Sequence, residues 1–504
     1  MGHMPDLRAG DELLSLREQL IAAGYTTDGV SELLGPVASA ALRREQRLPA
    51  DRVTAGPDSP LAILVRLFSL GLPVDRAAVD VALDVALDGW GTARLLDHGL
   101  VVASGDEVRA AYDLRPYADG SREWWVLSDL PESMTGRPLP VSHVLGIGGA
   151  SRTLASWSLR RPVRRALDLG TGCGVQSLHL SAHAEQVVAT DTSARALDIA
   201  AWNASINGVR WDLRRGSLFE PVAGERFDLI VSNPPFVITP RTPDVPTYEY
   251  RDGGAVGHTL VRDLIAALPD HLEPGGVAQM LANWEVPAGG DWRTVVGGWF
   301  AGTGLDAWVV QRDTQDPAQY AELWAGDGGH RSGTAGFEQM YAAWLADFES
   351  RDVAGVGFGV ITVQRPSTDR EPFRDFAEAT GPVQSPMGPT VDAGLRARTW
   401  LAEVGDAGVL ETRFRVAPDV TEERNGRPGA EDPSVIVIRQ GGGLGRAVRV
   451  DTALAAYVSV CDGELTTAQA LDAIATLLDV SPERLRTQAL PTIRDLVADG
   501  LLIR

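Results

Sequence analysis

The chain has 504 residues, which is too long for one hydrophobic core and predicts about two to four domains. Its hydrophobic fraction of 44% and charged fraction of 22% are ordinary for a globular protein, and no apolar run approaches the roughly 20 residues of a membrane span. The formal net charge of −21 disfavours a basic surface of the kind with which a whole domain binds duplex nucleic acid.

The first predicted domain, residues 5–137, opens with helices and ends in a small ribbon. Helical spacing of apolar residues recurs at residues 13–21, 60–70 and 76–87. Strand patterns at residues 108–114 and 124–127 flank Asp119-Gly120, a dipeptide that favours a hairpin turn. This order predicts either a winged-helix-like module or a helical cap that packs on the next domain.

The second predicted domain, residues 138–366, alternates strands with helices. Strand patterns occur at residues 165–169, 186–190, 210–214, 227–231, 277–282, 307–311 and 357–364. A long helical insertion at residues 317–350 precedes the last of them. The alternation predicts an α/β fold with a doubly wound, mainly parallel, Rossmann-like sheet, in which ligands bind at the carboxyl ends of the strands.

The third predicted domain, residues 380–504, ends in helices. Helical patterns cover residues 452–457, 467–477 and 482–499, and a short apolar strand follows them. The helix, turn, helix and strand over residues 466–500 resemble half of a winged helix. Such modules contact proteins as well as DNA, so this fold alone does not assign a partner.

Three alternating glycines, Gly170, Gly172 and Gly174, lie between the strand at residues 165–169 and a predicted helix. Glycines permit a tight turn and a close approach of the backbone to a ligand, and the helix start offers free N–H groups. The GxGxG spacing departs from the GxGxxG fingerprint and therefore disfavours a nicotinamide cofactor. Asp191 ends the next strand, where a carboxylate is placed to accept hydrogen bonds from ribose hydroxyls.

The tetrapeptide Asn233, Pro234, Pro235 and Phe236 follows the fourth strand of the middle domain. In isolation such a sequence is most simply a turn. The carboxyl ends of parallel strands meet at one edge of the sheet, so the tetrapeptide is expected beside the glycine loop. The sequence therefore predicts that these four residues form the reacting site.

The glycine loop, the acid after it and the tetrapeptide together resemble class I S-adenosylmethionine-dependent methyltransferases of the small-domain group. That group includes release-factor glutamine methyltransferases and RNA methyltransferases that act on guanine or adenine, and the resemblance covers residues 138–366. It implies S-adenosylmethionine as the cofactor, held by the three glycines and by Asp168 at the methionine end. It also implies that Ser217 and Leu218 border the adenine ring, and that Asn233 borders the cofactor.

The residue types of the tetrapeptide suit methyl transfer to a planar nitrogen, whose lone pair is delocalised into a π system. The side-chain oxygen of Asn233 and the carbonyl oxygen of Pro234 can each accept a hydrogen bond from an NH2 group, which fixes its orientation. The ring of Phe236 can lie against the flat face of the acceptor. Catalysis of this kind depends on positioning and local electrostatics and demands no strong base.

Residues 248–254 resemble the acidic, double-glycine segment that shapes the acceptor pocket of glutamine methyltransferases. The usual Glu-Pro pair is absent, because Tyr250 follows Glu249, and the alternative is a glycine-rich connector. Arg241 and Arg251 are expected near the site, where a negatively charged substrate would meet them.

Two macromolecular substrates fit these motifs. The first is a glutamine side-chain amide in a protein, favoured by the acidic composition and the flanking modules. The second is the exocyclic amine of guanine or adenine in RNA, favoured by the Asn-Pro-Pro-Phe form. A small-molecule methyltransferase with residues 317–350 as an aromatic lid, and a binding protein with an unused cofactor fold, are the remaining alternatives.

The sequence predicts no metal site, no membrane association and a cytoplasmic location. Its two cysteines, Cys173 and Cys461, lie far apart, and its eight histidines form no ligand cluster. This spacing of cysteines and histidines predicts neither a disulfide framework nor a structural zinc site. Such sparse cysteines are typical of proteins from a reducing compartment.

Overall fold

The structure is a computed structural model. It describes residues 10–44, 46–56, 59–84, 89–137, 139–242, 248, 250–254, 256–327, 332–429 and 433–504. Within these ranges, no helix is both long enough and apolar enough to cross a membrane.

The N-terminal part consists of short helices followed by strands. Its helices are α1 (Gly10–Ala22), α2 (Thr27–Leu42), α3 (Leu48–Thr54), α4 (Pro60–Leu64), α5 (Arg76–Asp84), α6 (Thr92–Asp97) and α7 (Glu132–Thr135). Its strands are β1 (Val74–Asp75), β2 (Val101–Ser104), β3 (Glu107–Ala110), β4 (Asp113–Ala118) and β5 (Glu123–Ser128). The strands β1, β3 and β2 form one small sheet, and β4 pairs with β5 around the predicted turn at Asp119-Gly120.

The central part alternates helices with longer strands. Its helices are α8 (Gly149–Trp157), α9 (Val175–Leu180), α10 (Ala194–Ile206), α11 (Thr259–His271), α12 (Trp292–Trp299), α13 (Pro317–Asp327) and α14 (Ala335–Ser350). Its strands are β6 (Val163–Leu169), β7 (Ala184–Asp191), β8 (Asp212–Arg215), β9 (Phe227–Ser232), β10 (Leu272–Pro287), β11 (Asp306–Gln315), β12 (Val353–Gln364) and β13 (Arg374–Glu378).

These eight strands form one sheet in the order β13-β11-β12-β10-β9-β6-β7-β8. Strands β10, β9, β6, β7 and β8 are parallel to one another, and β12 runs antiparallel to both of its neighbours. Along β6, Leu167 packs in the core that contains α11, whereas its neighbour Ala166 packs in the core that contains α8. Helices therefore cover both faces, and the predicted doubly wound sheet is confirmed.

One strand of this sheet lies outside the predicted strand patterns and past residue 366. It is β13, which pairs in parallel with β11 at the edge of the sheet. Its sequence, Arg-Asp-Phe-Ala-Glu, contains no β-branched residue and is mostly polar, so it lacks the composition typical of a strand.

The C-terminal part combines a long helix with small sheets. Its helices are α15 (Gly388–Glu411), α16 (Thr452–Ser459), α17 (Thr467–Leu477) and α18 (Pro482–Ala498). Its strands are β14 (Arg415–Val416), β15 (Val420–Asn425), β16 (Val435–Gln440), β17 (Ala447–Val450) and β18 (Leu502–Ile503). The three predicted helices and the strand after them are present, and a winged-helix classification of either terminal part stays a prediction.

A buried arginine joins the C-terminal part to the central sheet. Arg398 of α15 lies 3.8 Å above the ring of Trp308 on β11. Its guanidinium also bridges Asp375 of β13 at 2.6 Å and Asp499 at 2.7 Å. Separation of the two parts would break the ion pair with Asp375 and the contact with Trp308, while the pair with Asp499 lies within the C-terminal part.

The N-terminal part and the central sheet share one hydrophobic core. Leu16 of α1 and Trp125 of β5 belong to the same cluster of buried side chains as Ile199 and Trp202 of α10. Trp202 has no exposed surface. Apolar packing therefore continues across residue 137, and the N-terminal part buries one face of α10.

Two asparagines, Asn203 within α10 and Asn207 at its C-terminal cap, pair with the outer edge of β5. Leu127 N donates to Asn203 Oδ1 at 2.7 Å, and Asn203 Nδ2 donates to Leu127 O at 2.9 Å. Asn207 makes the same two bonds with Trp125, at 2.9 and 2.8 Å. The spacing matches because four helical residues rise about 6 Å and two strand residues span about 6.6 Å. Asn203 Nδ2 also donates to Cys173 O at 2.7 Å, so this side chain reaches the glycine loop.

We expect Asn203→Ala to lower the melting temperature by about 5 °C or more, because it leaves three buried backbone groups without partners. Ser205→Ala, on the same helix at a half-buried position, is the control and should shift the melting temperature by less than about 2 °C. Differential scanning fluorimetry measures both. Equal shifts in the two variants would contradict the role assigned to Asn203.

Candidate active site

A cavity of about 430 Å³ opens at the carboxyl ends of β6, β7 and β9. The predicted site residues on its wall are Gly170, Gly172, Asp191, Ser217, Leu218, Asn233, Pro234 and Pro235. The structure thus brings two loops and the tetrapeptide together at one edge of the sheet. Asp168, Gly174 and Phe236 lie behind this wall.

The glycine loop has a backbone conformation that glycine adopts far more readily than other residues. Gly170, Gly172 and Gly174 have φ values of 76°, 54° and 89°. A Cβ at Gly174 would lie 2.6 Å from the ring of Trp211, so packing behind the loop also requires this glycine. At Gly170 and Gly172, no described atom lies within 4 Å of the position that a Cβ would take. The cavity side of the loop is therefore open to a ligand.

Asp168 lies beneath the glycine loop and is 1% exposed. Its Oδ2 accepts hydrogen bonds from the hydroxyls of Thr171 and Ser177, both at 2.7 Å. Burial raises the pKa of the carboxyl group to about 6. Its Oδ1 is buried and has no hydrogen-bond partner among the described residues. Asp168 thus supports the loop from behind, and its direct contact with a ligand stays a prediction.

Asp191 lines the cavity, where two backbone groups hold its carboxylate. Gly172 N donates to one oxygen and Ser193 N to the other, both at 2.9 Å. The helix that follows, α10, is capped by the side chain of Ser193 and not by Asp191. The carboxylate is therefore oriented by the glycine loop and does not serve as a helix cap.

The loop after β8 brings Ser217 and Leu218 to the cavity wall. Leu218 has a φ of 48°, which is uncommon for a residue with a side chain. Strained backbone of this kind is concentrated at binding and catalytic sites, where the surrounding structure maintains it. Glu220 helps to fix the loop by accepting a hydrogen bond from Ser217 N at 3.3 Å.

Asn233 enters the cavity from the end of β9. The residue before it, Ser232, donates its hydroxyl to Leu169 O at 2.8 Å and so joins the ends of β9 and β6. The Oδ1 atom of Asn233 is buried and finds no hydrogen-bond partner in the described part of the chain. A buried oxygen without a donor is costly, so a donor is expected from a ligand at this position.

Phe236 packs away from the cavity wall, against apolar side chains of three core clusters. Beyond it, Ile238 is fixed by two aromatic residues of the helical insertion. Ile238 N donates to the hydroxyl oxygen of Tyr320 at 2.9 Å, and Trp344 Nε1 donates to Ile238 O at 2.8 Å. Tyr320 and Trp344 are fully buried. These aromatic residues therefore form a core that holds the tetrapeptide, and contact of Phe236 with an acceptor stays a prediction.

The cavity wall also includes residues that are not among the predicted site residues, and three of them carry titratable side chains: His143, Tyr250 and Asp252. His143 is 4% exposed, burial lowers its pKa, and no sequence motif surrounds it. The ring centroids of His143 and Tyr250 lie 6.0 Å apart. Tyr250 and Asp252 belong to the segment 248–254 that the resemblance associates with the acceptor pocket, and Glu249 of that segment lies outside the described residues.

The two arginines expected near the site are both paired with carboxylates. Arg241 bonds Asp252 at 2.5 Å. Arg251 bonds Asp327 at 2.8 Å, lies 4.5 Å from the ring centroid of Tyr248 and is 3% exposed. Burial prevents Arg251 from serving as an exposed contact for a negatively charged substrate.

A second cavity, of about 180 Å³, adjoins the first and shares His143, Leu145 and Gly146 with it. Residues of the N-terminal part, including Arg47 and Arg115, form its far wall. The N-terminal part therefore borders the approach to the site. Within the described ranges, no group of three or more histidine, cysteine or acidic residues is arranged to hold a metal ion.

Three segments of the chain match known families. Residues 146–297 match the methyltransferase small domain. Residues 22–111 and 392–504 each match a domain of unknown function.

Relatives are found among bacterial methyltransferases. A release factor glutamine methyltransferase of Xylella fastidiosa is 34% identical over 250 residues, which cover 45% of this chain and 86% of that protein. A ribosomal protein uL3 glutamine methyltransferase of Bordetella pertussis is 39% identical over 151 residues, 27% of this chain and 48% of that protein. A ribosomal RNA small subunit methyltransferase C of Alcanivorax borkumensis is 36% identical over 123 residues, 24% of this chain and 33% of that protein.

We expect Asp168→Asn to change how stability depends on pH. The raised pKa of about 6 means that the folded carboxyl group keeps its proton between about pH 4 and pH 6, where the unfolded one has lost it. The contribution of Asp168 to stability is therefore full below about pH 4 and is lost as pH rises to 6, by up to about 3 kcal/mol.

Melting temperatures from pH 4 to pH 7.5 test this expectation. The stability of Asp168→Asn should rise relative to that of the unsubstituted protein across this range. Asp263→Asn, at an exposed position of α11, is the control. The difference in melting temperature between this variant and the unsubstituted protein should stay constant across the pH range. Parallel curves for Asp168→Asn and the unsubstituted protein would rule out the raised pKa.

Proposed function

The chain belongs to the S-adenosylmethionine-dependent methyltransferases with a small methyltransferase domain, and we propose that it methylates a glutamine side-chain amide of a protein. It is an N-methyltransferase, and S-adenosylmethionine is its cofactor. As part of the proposal the reaction takes place in the cytoplasm, where the translation components named for its relatives are found.

When bound, S-adenosylmethionine supplies an activated methyl group, and the residues of the larger cavity fit such a molecule. The open side of Gly170 and Gly172 admits a ligand close to the backbone. Asp191, already oriented by Gly172 N, offers its carboxylate to ribose hydroxyls. Leu218 supplies apolar surface for the adenine ring, and the volume of about 430 Å³ suits a small-molecule site.

The buried, unpaired Oδ1 of Asn233 is the observation that carries the proposal. A primary amide presents two N–H donors, one for this oxygen and one for the carbonyl oxygen of Pro234. Pro234 precedes Pro235, which restricts the ψ angle of Pro234 to extended values, so the direction of its carbonyl group is largely set in advance. Two acceptors held in this way orient the nitrogen and favour its tetrahedral character as it accepts a methyl group, which is catalysis by positioning and electrostatics.

Charge around the two cavities supports a protein substrate. Three arginines at or beside these walls pair with carboxylates: Arg115 with Asp113, Arg195 with Asp129 and Arg241 with Asp252. A fourth, Arg47 on the wall of the second cavity, donates to Leu70 O. Nucleic acid binding depends on lysine and arginine side chains that are available to phosphates. The net charge of −21 also disfavours a nucleic acid substrate. The N-terminal part contributes one wall of the second cavity, which suits a macromolecular partner.

The alternative substrate is an exocyclic amine of guanine or adenine in RNA. It is supported by the similarity to a ribosomal RNA methyltransferase, and the same two oxygen acceptors suit an aromatic NH2 group. In that case the winged-helix interpretation of the terminal parts would assign them to RNA binding.

Transfer of tritium from methyl-labelled S-adenosylmethionine into an extract from a host that lacks the enzyme tests the proposal. We expect label in the protein fraction. Acid hydrolysis of a methylated glutamine amide releases methylamine, so this label should become volatile in base, whereas methylated lysine or arginine keeps it on the amino acid. Label in RNA that withstands protease would favour the alternative, and label in neither fraction would overturn both.

We expect Asp191→Ala to weaken the binding of S-adenosylmethionine by about tenfold to a hundredfold, because hydrogen bonds to a charged group contribute about 1.5–3 kcal/mol. Titration calorimetry measures the affinity. Glu185→Ala removes an exposed carboxylate from the opposite end of β7 and should leave affinity unchanged. Equal affinities for the two variants would contradict a ribose contact by Asp191.

We expect Asn233→Ala to lower the methyl-transfer rate by about a hundredfold or more while changing cofactor affinity by less than about twofold. Asn233→Asp retains an acceptor oxygen and should fall between this variant and the unsubstituted protein. Normal turnover by Asn233→Ala in the tritium assay would remove Asn233 from the site.

A further inference from the structure

Asp252 has a carboxylate oxygen for which the described protein supplies no donor. The side chain is 2% exposed and belongs to the wall of the larger cavity. Its Oδ1 accepts hydrogen bonds from Arg241 at 2.5 Å and from Gly254 N at 3.1 Å. Its Oδ2 is buried and makes no hydrogen bond to any described residue. The contacts that anchor the side chain thus use one oxygen and leave the other unused.

The backbone holds Asp252 against the Asn-Pro-Pro-Phe tetrapeptide. Asp252 and Phe236 form an antiparallel bridge, and Val237 N donates to Arg251 O at 3.0 Å. A Cβ at Gly253 would lie only 2.9 Å from the carbonyl oxygen of Pro235, so glycine permits this close approach of the two segments. The position of Asp252 relative to the tetrapeptide is therefore fixed by backbone pairing.

Two buried oxygens without donors, Asn233 Oδ1 and Asp252 Oδ2, thus lie on the wall of one cavity. Buried polar atoms in folded proteins are almost always paired, and a carboxylate oxygen is costlier to leave unpaired than a neutral one. Both atoms accept and neither donates when the carboxyl group is ionised. The ligand that satisfies them carries N–H groups, and a positive charge on it is favoured by the carboxylate.

We propose that Asp252 is a further residue of the acceptor site, whose Oδ2 shares with Asn233 Oδ1 one of the two N–H donors of the nitrogen that is methylated. The inference rests on the proposed function, because it concerns the same site, and it extends the set of acceptors beyond Asn233 and Pro234. The nitrogen gains positive charge when it is methylated and afterwards releases a proton to water. A carboxylate fixed beside it stabilises that charge without having to reorient.

The binding of two cofactor analogues tests this role without any acceptor substrate. S-adenosylhomocysteine lacks the transferable methyl group, and sinefungin carries an amine, protonated at neutral pH, at the place of that group. Titration calorimetry gives the affinity of each variant for both. We expect Asp252→Asn to weaken sinefungin binding by about tenfold or more and to change S-adenosylhomocysteine binding by less than about twofold, because charge-assisted hydrogen bonds are the stronger ones.

Arg241→Met is the matched control, because it removes the ion pair of Asp252 and leaves the carboxylate. It should retain the preference of the protein for sinefungin. The proposal would be overturned if Asp252→Asn weakened the binding of both analogues equally, or of neither. It would also be overturned if Arg241→Met lost sinefungin affinity in the same way as Asp252→Asn. In each case Asp252 would serve only as an anchor for Arg241. The tritium assay tests the proposed substrate separately. If the substrate is wrong, tritium appears in RNA or in neither fraction, while the affinities for the two analogues stay as expected.

Discussion

The amide side chains of Asn203 and Asn207 occupy the place that a neighbouring strand would take at the edge of β5. A strand edge carries rows of unpaired N–H and C=O groups, and burying it requires partners for them. The helix that supplies these partners, α10, follows directly on the strand that ends in Asp191. Asn203 also donates a hydrogen bond to Cys173 O. The helix therefore fixes the positions of the N-terminal part, Asp191 and the glycine loop relative to one another.

Buried side-chain atoms without a partner occur in several parts of the described chain, for example Trp202 Nε1 and Trp308 Nε1. Those at or behind the cavity wall differ in that a bound ligand can reach their neighbourhood. At the site, Asp168, Asn233 and Asp252 each keep a buried oxygen without a partner in the described chain. Leaving such groups unpaired lowers the stability of the fold, and a bound ligand offsets the loss where it supplies the donors. Stability and binding are therefore coupled at this edge of the sheet.

Local patterns predict the sheet and much of the cavity wall, because apolar strands ending in glycine or in a polar residue are readable from sequence alone. Asp191 and Asn233 are examples, since Asp191 is the last residue of β7 and Asn233 directly follows β9. His143 lies on the same wall only because a separate loop folds over the strand ends, and no spacing in the sequence encodes this long-range contact. Asp252 also lies on this wall, and only the resemblance of residues 248–254 to an acceptor-pocket segment points to it. The direction of the Phe236 ring is likewise decided by apolar packing from several elements. The shared core across residue 137 depends on contacts of the same kind.

The asparagine pairing also has a chemical consequence over time. Asn207 is followed by Gly208, and asparagine before glycine is the dipeptide in which deamidation proceeds most readily. In the folded chain the Asn207 amide is 7% exposed and is bonded to Trp125 N and O, which keeps it from the cyclisation that starts the reaction. Unfolding releases that restraint. An aspartate formed at this position has no N–H for Trp125 O, so chains that age while unfolded lose the hydrogen bond that Asn207 Nδ2 donates in the native structure.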